Sequence, residues 1–497
     1  MKILSINIHK HMNKTELKPV EVFHFFEEIC KVPRPSKKEE KIIQYLIAFA
    51  NKYKLESKID EAGNILIKKP ATKGKEHLHT VVLQSHIDMV CEKNSDVDHD
   101  FMNDPIQTIV DGEWLKAKGT TLGADNGIGV ATQLAVLSSD EIEHGPLECL
   151  FTVDEETGLT GAFALKEGFI SGDILINLDS EDEGELFIGC AGGANTLAEY
   201  TYQPISAPKD YFYFRVDIKG LSGGHSGDDI NKNRANANKQ LVRFLSILAD
   251  KYDLYLCEIN GGNLHNAIPR EAYAVCAVPM AYKEPIRIDL NVFASEVEAE
   301  YAVTEPNMKW VLQSESPVSV AIDRETTTRL IKSLYAVFNG VFAMSQEIPG
   351  FVETSSNLAS IKMSDNNIIR VVTSQRSSTL SSRKDVSAAV KAAFELGGAK
   401  VNVGDGYPGW KPNPASPILK VAQETYIRLF GVEPKVKAIH AGLECGLFLE
   451  KYPSLDMVSF GPTLRGVHSP DERMLIPTVD KFWRHLLEVL VNIPAKK

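Results

Sequence analysis

The sequence lacks three features that would place the protein in a membrane, on nucleic acid or in an oxidising compartment. No apolar run approaches the roughly 18 residues that a membrane span needs. The net charge of −12 disfavours phosphate binding, which depends on clustered Lys and Arg. The seven cysteines are odd in number, scattered, and form no C-x-x-C pair, which argues against a disulfide scaffold or a thiolate zinc site. We therefore expect no membrane partner and no nucleic-acid partner.

The first sixteen residues or so carry no catalytic motif and are expected to be an extension. This segment has a weak apolar alternation that is broken by Asn and His. It lacks the sustained apolar core and the small-residue cleavage site of a signal peptide. The expected compartment is therefore the cytoplasm.

Five side chains of the kinds that bind divalent metal ions recur along the chain, most of them just past a strand-like apolar run. They are His86, Asp125, Glu156, Asp179 and His468. Two imidazoles and three carboxylates can hold two zinc-type ions if one carboxylate bridges them. The pattern therefore predicts a two-metal hydrolase.

Two further acids lie beside these candidates. Asp88 is placed to orient the imidazole of His86, and Glu155 is available as a general base next to a ligand. Each motif alone has an ordinary explanation as a loop, a helix cap or a solvated acidic run. The joint pattern outweighs these explanations because VVLQ, LECLFTV and DILINL each end just before such a residue, where open α/β sheets bind ligands.

The order of strand-like and helix-like segments predicts one interrupted catalytic domain. Strands alternate with helices in the first and last parts of the chain, which favours an α/β sheet flanked by helices. The middle part is richer in alternating segments and predicts an α+β unit with antiparallel sheets. We expect a catalytic domain made of residues 1–203 and 387–497, interrupted by an inserted lid domain at residues 204–386.

The most specific stretches of the chain resemble a known enzyme family. These stretches are SHIDMVCEKN, GTTLGADNGIGVA, FTVDEETGLTGA, NLDSEDEGE, GLSGGHSGDDI with NRANANK, GGNLHNAIPRE, SQRSS, HAGLECG and GVHSPDER. From Lys18 onwards the sequence is similar to the co-catalytic zinc exopeptidases related to aminoacylase, carboxypeptidase G, succinyl-diaminopimelate desuccinylase and the carnosinases. Within that family it resembles the branch that cleaves aminoacyl-histidine dipeptides. The resemblance implies a central mixed sheet flanked by helices, interrupted by the inserted lid.

The resemblance also implies how the metal ligands are shared. His86, Asp125 and Asp179 would bind one ion, and Asp125, Glu156 and His468 would bind the other. Asp125 would then bridge the two ions, and the peptide bond that follows it would be cis. The ions are expected to be zinc, with manganese and cobalt as alternatives.

Further roles follow from the same resemblance. His225 in GGHSG would steady the oxyanion, while Asn266 and Arg376 would hold the carboxylate end of the substrate. Arginine suits that task because its planar fork binds a carboxylate through two hydrogen bonds. Glu444 in HAGLECG would meet the substrate amino group, and His265 is a lower-ranked rival to Asn266.

The implied reaction is two-metal-dependent hydrolysis of dipeptides, including Xaa-His dipeptides such as β-Ala-His. A metal-activated water would attack the carbonyl, with Glu155 as general base and Asp88 holding His86. The expected partner is a short peptide substrate, and both a monomer and a homodimer remain open. Two alternatives are an amidohydrolase of N-acyl amino acids that uses the same site and a non-catalytic metal-binding relative. The second alternative is disfavoured because no ligand and no base is missing.

Overall fold

The computed structural model describes residues 17–496, so the predicted N-terminal extension lies outside the described residues. The α-helices are α1 (Val20–Ile29), α2 (Glu40–Lys52), α3 (Ala124–Ser138), α4 (Thr160–Ala164), α5 (Ala237–Lys251), α6 (Lys283–Glu300), α7 (Arg324–Ala336), α8 (Leu380–Leu396), α9 (Pro417–Phe430), α10 (Glu444–Lys451) and α11 (Ile476–Val491). In the part of the chain that is described, no helix is both long enough and apolar enough to cross a membrane.

The strands of the described residues range in length from two to thirteen residues. They are β1 (Glu56–Ile59), β2 (Ile65–Lys69), β3 (Val81–His86), β4 (Thr108–Asp111), β5 (Trp114–Ala117), β6 (Leu147–Thr152), β7 (Ile174–Asn177), β8 (Glu185–Cys190), β9 (Gly192–Thr201), β10 (Pro204–Ser206), β11 (Tyr211–Lys219), β12 (Gly224–His225), β13 (Tyr255–Gly261), β14 (Ala267–Ile268), β15 (Ala272–Pro279), β16 (Lys309–Ser314), β17 (Val320–Ile322), β18 (Gly340–Met344), β19 (Val352–Ser364), β20 (Ile368–Ser377), β21 (Lys400–Val403), β22 (Lys435–Ile439), β23 (Asp456–Ser459), β24 (Leu464–Arg465) and β25 (Arg473–Leu475).

The described chain divides into two compact units, and the second is inserted in the sequence of the first. Unit 1 comprises residues 17–189, Asn413–Ala438 and 444–496. Unit 2 comprises Cys190–Pro412 and Ile439–Leu443.

Unit 1 is built on an eight-stranded mixed sheet with the order β1-β2-β6-β3-β7-β23-β8-β22. Strands β6, β3, β7 and β23 are parallel neighbours, whereas β2 is antiparallel to both β1 and β6. Every residue of β3, β6 and β7 is buried, as expected of central strands that are covered on both faces. A second sheet of unit 1 has the order β24-β25-β5-β4.

Helix boundaries and buried faces in both units follow local sequence signals. Helices α5, α7 and α9 begin after Asn236, Asp323 and Ser416, and each of these side chains accepts the backbone N–H three residues on. In α11, buried apolar residues recur every three or four positions, which produces one continuous apolar face. In unit 1, α3 packs on β3 and α1 packs on α3, while α9 packs on β23 and α11 packs on α9.

Unit 2 is an α+β unit around a nine-stranded sheet. The strand order is β16-β11-β15-β13-β19-β20-β9-β21, and β18 pairs with β19. The neighbouring strands pair antiparallel. One apolar core joins this sheet to α5, α6, α7 and α8. The mixed sheet of unit 1 and the antiparallel sheet of unit 2 confirm the predicted fold class.

The limits of unit 2 are wider than the predicted insert at residues 204–386. The strand β9 precedes residue 204, yet it pairs with β20 and β21 and contributes Ala198 and Tyr200 to the core of unit 2. The second half of α8 likewise contributes Val390 and Phe394 to that core. Both elements therefore belong to unit 2 by packing.

Candidate active site

Three neighbouring parallel strands of unit 1 end at one edge of the sheet with side chains that can bind metal. His86 is the last residue of β3, Asp179 follows β7, and Glu156 follows β6. Because the carboxyl ends of parallel strands meet at the same edge, these side chains converge. The Nε2 atom of His86 lies 3.1 Å from Oδ1 of Asp125 and 3.4 Å from Oδ1 of Asp179.

Asp125, at the start of α3, lies between two groups of potential ligands. Its Oδ1 atom faces His86, and its Oδ2 atom lies 3.2 Å from Nε2 of His468. The same Nε2 atom of His468 is 2.9 Å from Oε2 of Glu156. Two triads therefore share Asp125, one with His86 and Asp179 and one with Glu156 and His468, and within each triad the donor atoms lie within 4.8 Å of one another. The peptide bond after Asp125 is cis.

The donor set of this cluster fits divalent metal ions. Two imidazoles and three carboxylates are the ligands that zinc, manganese and cobalt accept. Among the described residues, Oε1 of Glu156 is buried without a hydrogen-bond partner. A buried carboxylate oxygen that remains unpaired is costly, and a cation would satisfy it.

The carboxylates of the cluster attract positive charge. Hydrogen bonds that His468 donates to the carboxylates of Asp125 and Glu156 raise the pKa of His468 to about 11. Burial disfavours the protonated form of His86, but the carboxylates of Asp179 and Asp125 outweigh burial and raise its pKa well above the usual value. A metal ion that binds these imidazoles must therefore displace protons from them.

Asp88 connects the imidazole of His86 to the loop after β6. Its Oδ1 atom lies 3.3 Å from Nδ1 of His86 and accepts the N–H of Glu155 at 3.1 Å. Its Oδ2 atom accepts the N–H of Glu156 at 3.3 Å and the hydroxyl of Ser36 at 2.8 Å. Asp88 therefore lies between the ring of His86 and the backbone of both acids.

Glu155 lies next to the two triads without belonging to either. Its carboxylate is within 4.8 Å of the donor atoms of His86 and Glu156, and its side chain forms no hydrogen bond with another described residue. Burial raises the pKa of Glu155 well above its usual value, and the charges of Asp179, Glu444 and Glu156 add to this effect. A carboxyl group in such a position can accept a proton and return it.

Two residues that support the cluster were missed by the sequence reasoning. Glu472 accepts the backbone N–H groups of residues 122–125 at 2.7 to 3.3 Å and so fixes the turn before α3. Asn126 donates from Nδ2 to Oδ1 of Asp179 at 2.5 Å. Both positions fall within the motifs quoted above, since Glu472 lies four residues after His468, but nothing in the motifs shows which groups these side chains contact.

Glu444, the first residue of α10, is buried in unit 1. Its Oε2 atom accepts hydrogen bonds from Nε2 of Gln84 at 2.6 Å and from Oγ1 of Thr152 at 2.8 Å. Its Oε1 atom is buried and has no hydrogen-bond partner among the described residues. Burial raises the pKa of Glu444 to about 8. One oxygen is therefore held by β3 and β6, while the other is available to a ligand.

The three predicted residues of the insert lie together within unit 2. His225 belongs to β12, which pairs with β14. Asn266 precedes β14, and its backbone carbonyl accepts the N–H of Ser226 at 2.8 Å. Arg376 belongs to β20, and its Nη2 atom lies 3.4 Å from Nε2 of His225. Asn266 and its rival His265 are both exposed.

Nε2 of His225 and Nη2 of Arg376 face each other at 3.4 Å. The guanidinium of Arg376 can only donate, whereas each ring nitrogen of His225 donates or accepts according to the tautomer. Nδ1 of His225 accepts the N–H groups of Gly227 and Asp228 at 3.3 and 3.2 Å and lies 3.5 Å from Oδ2 of Asp228. In the tautomer with its proton on Nε2, His225 presents a donor beside the guanidinium, and the two groups can then bind one acceptor.

We expect metal binding to the cluster to release protons. The carboxylates raise the pKa of His468 to about 11 and that of His86 well above its usual value, which favours the protonated imidazoles, whereas an imidazole ligand must be neutral. Titration of the apoprotein with Zn²⁺ should therefore release protons, and binding should strengthen as the pH rises. Calorimetry at pH 7 in phosphate and in Tris checks this, since the released protons are taken up by buffers of different ionisation enthalpy. Equal binding enthalpies in the two buffers would contradict the charge state described here.

Known proteins are similar to this chain over most of its length. Residues 82–492 match the family described as Peptidase family M20/M25/M40. The chain is 44% identical over 482 residues to the cytosol non-specific dipeptidase of Escherichia coli (strain K12), a match that covers 97% of this chain and 99% of that protein.

Solved structures give the same result. The aminoacylhistidine dipeptidase from Vibrio alginolyticus matches with a TM-score of 0.90 and 44% identity, covering 98% of this chain and 99% of that chain. Aminopeptidase PepT from Bacillus cereus matches with a TM-score of 0.61 at 17% identity, covering 97% of this chain and 99% of that chain, which shows a shared fold alone. These matches confirm the resemblance seen in the sequence: the chain belongs to peptidase family M20/M25/M40 and is a metal-dependent peptidase.

Proposed function

We propose that this protein is a two-metal dipeptidase that hydrolyses dipeptides with a free C-terminal carboxylate, Xaa-His dipeptides such as β-Ala-His among them. The observation that carries the proposal is the pair of ligand triads that share Asp125, with Glu155 beside them. The names of the two relatives at 44% identity support dipeptides as the substrate class. The name of the Vibrio protein supports a C-terminal histidine, and the name of the Escherichia coli protein supports the cytoplasm as the compartment.

Two divalent ions, zinc first and manganese or cobalt as alternatives, would be held by the two triads. His86, Asp125 and Asp179 would hold one ion, and Asp125, Glu156 and His468 the other. When bound, such ions polarise a carbonyl oxygen and lower the pKa of water. Asp88 would keep His86 in the orientation that ligation requires, since it contacts the ring nitrogen opposite the cluster.

Glu155 would transfer the proton during hydrolysis. Its carboxylate lies beside the ligand atoms, and Asp88 holds its backbone N–H at 3.1 Å. Glu155 would accept the proton of the attacking water and then deliver it to the leaving amine. Because its side chain has no hydrogen-bond partner among the described residues, no existing bond must break before it accepts that proton.

The polar residues of unit 2 would bind the parts of the substrate that carry negative charge. In the tautomer with its proton on Nε2, His225 would donate to the oxyanion that forms at the carbonyl and so stabilise it. Arg376 would bind the C-terminal carboxylate, with Asn266 as a further contact. The burial of Arg376 at 6% exposure supports this role, because a buried guanidinium favours an anionic partner.

Glu444 would distinguish dipeptides from N-acyl amino acids. Its unpaired Oε1 atom is suited to accept hydrogen bonds from the amino group of a dipeptide. An N-acyl amino acid has no such amino group, so the alternative amidohydrolase function is less favoured. Hydrolysis of Gly-His and β-Ala-His alongside N-acetyl-histidine by the zinc-loaded protein tests this choice, and faster hydrolysis of N-acetyl-histidine would favour the amidohydrolase.

Substitutions at two adjacent positions should separate the general base from a metal ligand. Glu155→Gln removes only the proton transfer, so this variant should keep both metal ions and lose roughly 100-fold or more in kcat. Glu156→Gln is the matched control, because it changes a ligand and should lower the bound metal as well. Metal content by mass spectrometry and kcat with Gly-His provide the two measurements. Retention of more than about a tenth of the wild-type kcat in Glu155→Gln would refute the base assignment.

Arg376→Ala should affect only substrates that carry a free C-terminal carboxylate. Loss of one partner of a desolvated charge pair costs about 2–5 kcal/mol, so kcat/KM for Gly-His should fall roughly 30-fold or more. Gly-His amide has no carboxylate to lose, and its slow hydrolysis should barely change. His225→Ala is the control, because it acts on the oxyanion and should lower kcat/KM for both substrates. Equal losses on the two substrates in Arg376→Ala would show that Arg376 has a structural role.

A further inference from the structure

Arg376 is a buried cation whose contacts in the described chain are two hydroxyl groups and an imidazole. Nε donates to Oγ of Ser226 at 3.3 Å, Nη1 donates to Oη of Tyr407 at 3.0 Å, and Nη2 faces His225. Within residues 17–496, no carboxylate forms an ion pair with this guanidinium. Since a guanidinium has five N–H groups, at least two of them remain for a ligand.

The hydroxyl of Tyr407 has hydrogen-bonding capacity of its own. Oη accepts a hydrogen bond from Arg376, so its hydrogen is available to a different acceptor. No described residue accepts that hydrogen. Ser226 offers a second hydroxyl beside Arg376, but it is only 1% exposed, whereas Tyr407 is partly exposed. Tyr407 is therefore the hydroxyl that a ligand of Arg376 can reach.

The fold determines where this hydroxyl lies. The N–H of Tyr407 donates to the carbonyl of Gly193 at 2.8 Å, and the N–H of Gly193 donates back at 3.1 Å. A Cβ atom on Gly193 would lie 2.7 Å from Oη of Tyr407, and one on Gly442 would lie 2.9 Å from Cε2. Arg383 donates to the carbonyls of both Gly193 and Tyr407. The phenol thus packs directly against two backbone segments where no side chain would fit.

We propose that Tyr407 donates a second hydrogen bond to the C-terminal carboxylate of the substrate. This inference rests on the proposed function, in which Arg376 binds that carboxylate. The Tyr407 hydroxyl lies 3.0 Å from Nη1 of Arg376, so a carboxylate that binds the remaining guanidinium N–H groups comes within its reach. A carboxylate can accept from both groups because its two oxygens offer about four lone-pair sites. Tyr407 therefore contributes to the selection of substrates that end in a free carboxylate.

A double-mutant cycle separates direct donation from an indirect effect through Arg376. The variants are Tyr407→Phe, Arg376→Ala and the double variant, each assayed with Gly-His and Gly-His amide. Tyr407→Phe should raise KM for Gly-His roughly ten-fold with kcat little changed, because the lost bond goes to a charged group in both ground and transition states. Gly-His amide should be unaffected. In the Arg376→Ala background, Tyr407→Phe should lower kcat/KM for Gly-His by a further several-fold.

Tyr213→Phe is the matched control, since it also removes a hydrogen-bonded hydroxyl from unit 2. The hydroxyl of Tyr213 donates to the carbonyl of Pro208 at 2.7 Å, and its loss should leave KM for both substrates unchanged. Circular dichroism during heating verifies that each variant is folded.

Three outcomes would overturn the inference, and they differ in what they say about the proposed function. If Tyr407→Phe lowered kcat/KM equally for Gly-His and Gly-His amide, the ring of Tyr407 would have only a structural role. No further loss in the Arg376→Ala background would mean that Tyr407 acts only by orienting Arg376. Both of these results leave the proposed role of Arg376 in place. If Arg376→Ala itself failed to distinguish the two substrates, the carboxylate site of the proposed function would fail, and this inference with it.

Discussion

The site depends on the attraction between a buried carboxylate and positive charge on both sides of it. The two oxygens of Asp125 lie 3.1 Å and 3.2 Å from the imidazoles of His86 and His468. Asp179 and Glu156 add two more carboxylates to the same space, and such a cluster is stable only if positive charge compensates it. Protonation of the imidazoles, which the neighbouring carboxylates favour, provides such charge, and two divalent ions would provide more of it. The donor set therefore explains both the raised pKa values of the imidazoles and the fit to metal.

The rigid part of this arrangement is the central sheet of unit 1. Side-chain hydrogen bonds run across its buried strands: Gln84 donates from Nε2 to Oε2 of Glu444 at 2.6 Å, and Asn177 donates from Nδ2 to Oε1 of Gln84 at 2.6 Å. Asn177 then accepts the N–H of Asp179 at 3.3 Å. Asp179, a proposed metal ligand, and Glu444, the proposed contact for the substrate amino group, thus belong to one hydrogen-bond network. Substitution of Gln84 would therefore disturb both side chains.

The sequence allows prediction of whatever depends on local pattern. The strands that end at His86 and Asp179 are recognisable because buried parallel strands are continuous apolar runs, and their functional side chains follow at the carboxyl end. The assignment of ligands to each of the two ions is implied by the family resemblance. The two triads that it names are among the groups whose donor atoms lie within 4.8 Å of one another. Glu472 and Tyr407 could not be predicted, because their partners are brought close only by folding. The limits of the insert were also missed, since β9 and α8 belong to unit 2 through packing rather than composition.

The residues of unit 2 also show the difference between what local sequence pattern predicts and what only folding brings together. His225, Asn266 and Arg376 are far apart in the sequence, and strand pairing brings the first two together while β20 carries the third. Each residue alone has a structural explanation. Nη2 of Arg376 lies 3.4 Å from Nε2 of His225, and this proximity supports the proposal that both residues bind the substrate.

The most direct test of the shared-ligand account is anomalous diffraction from crystals of the zinc-loaded protein at the zinc edge. The account predicts two zinc ions about 3.5–4 Å apart, with one oxygen of Asp125 bound to each. His86 and Asp179 should complete one ion's protein ligands, and Glu156 and His468 those of the other. A single zinc ion, or two ions that do not share Asp125, would contradict the account.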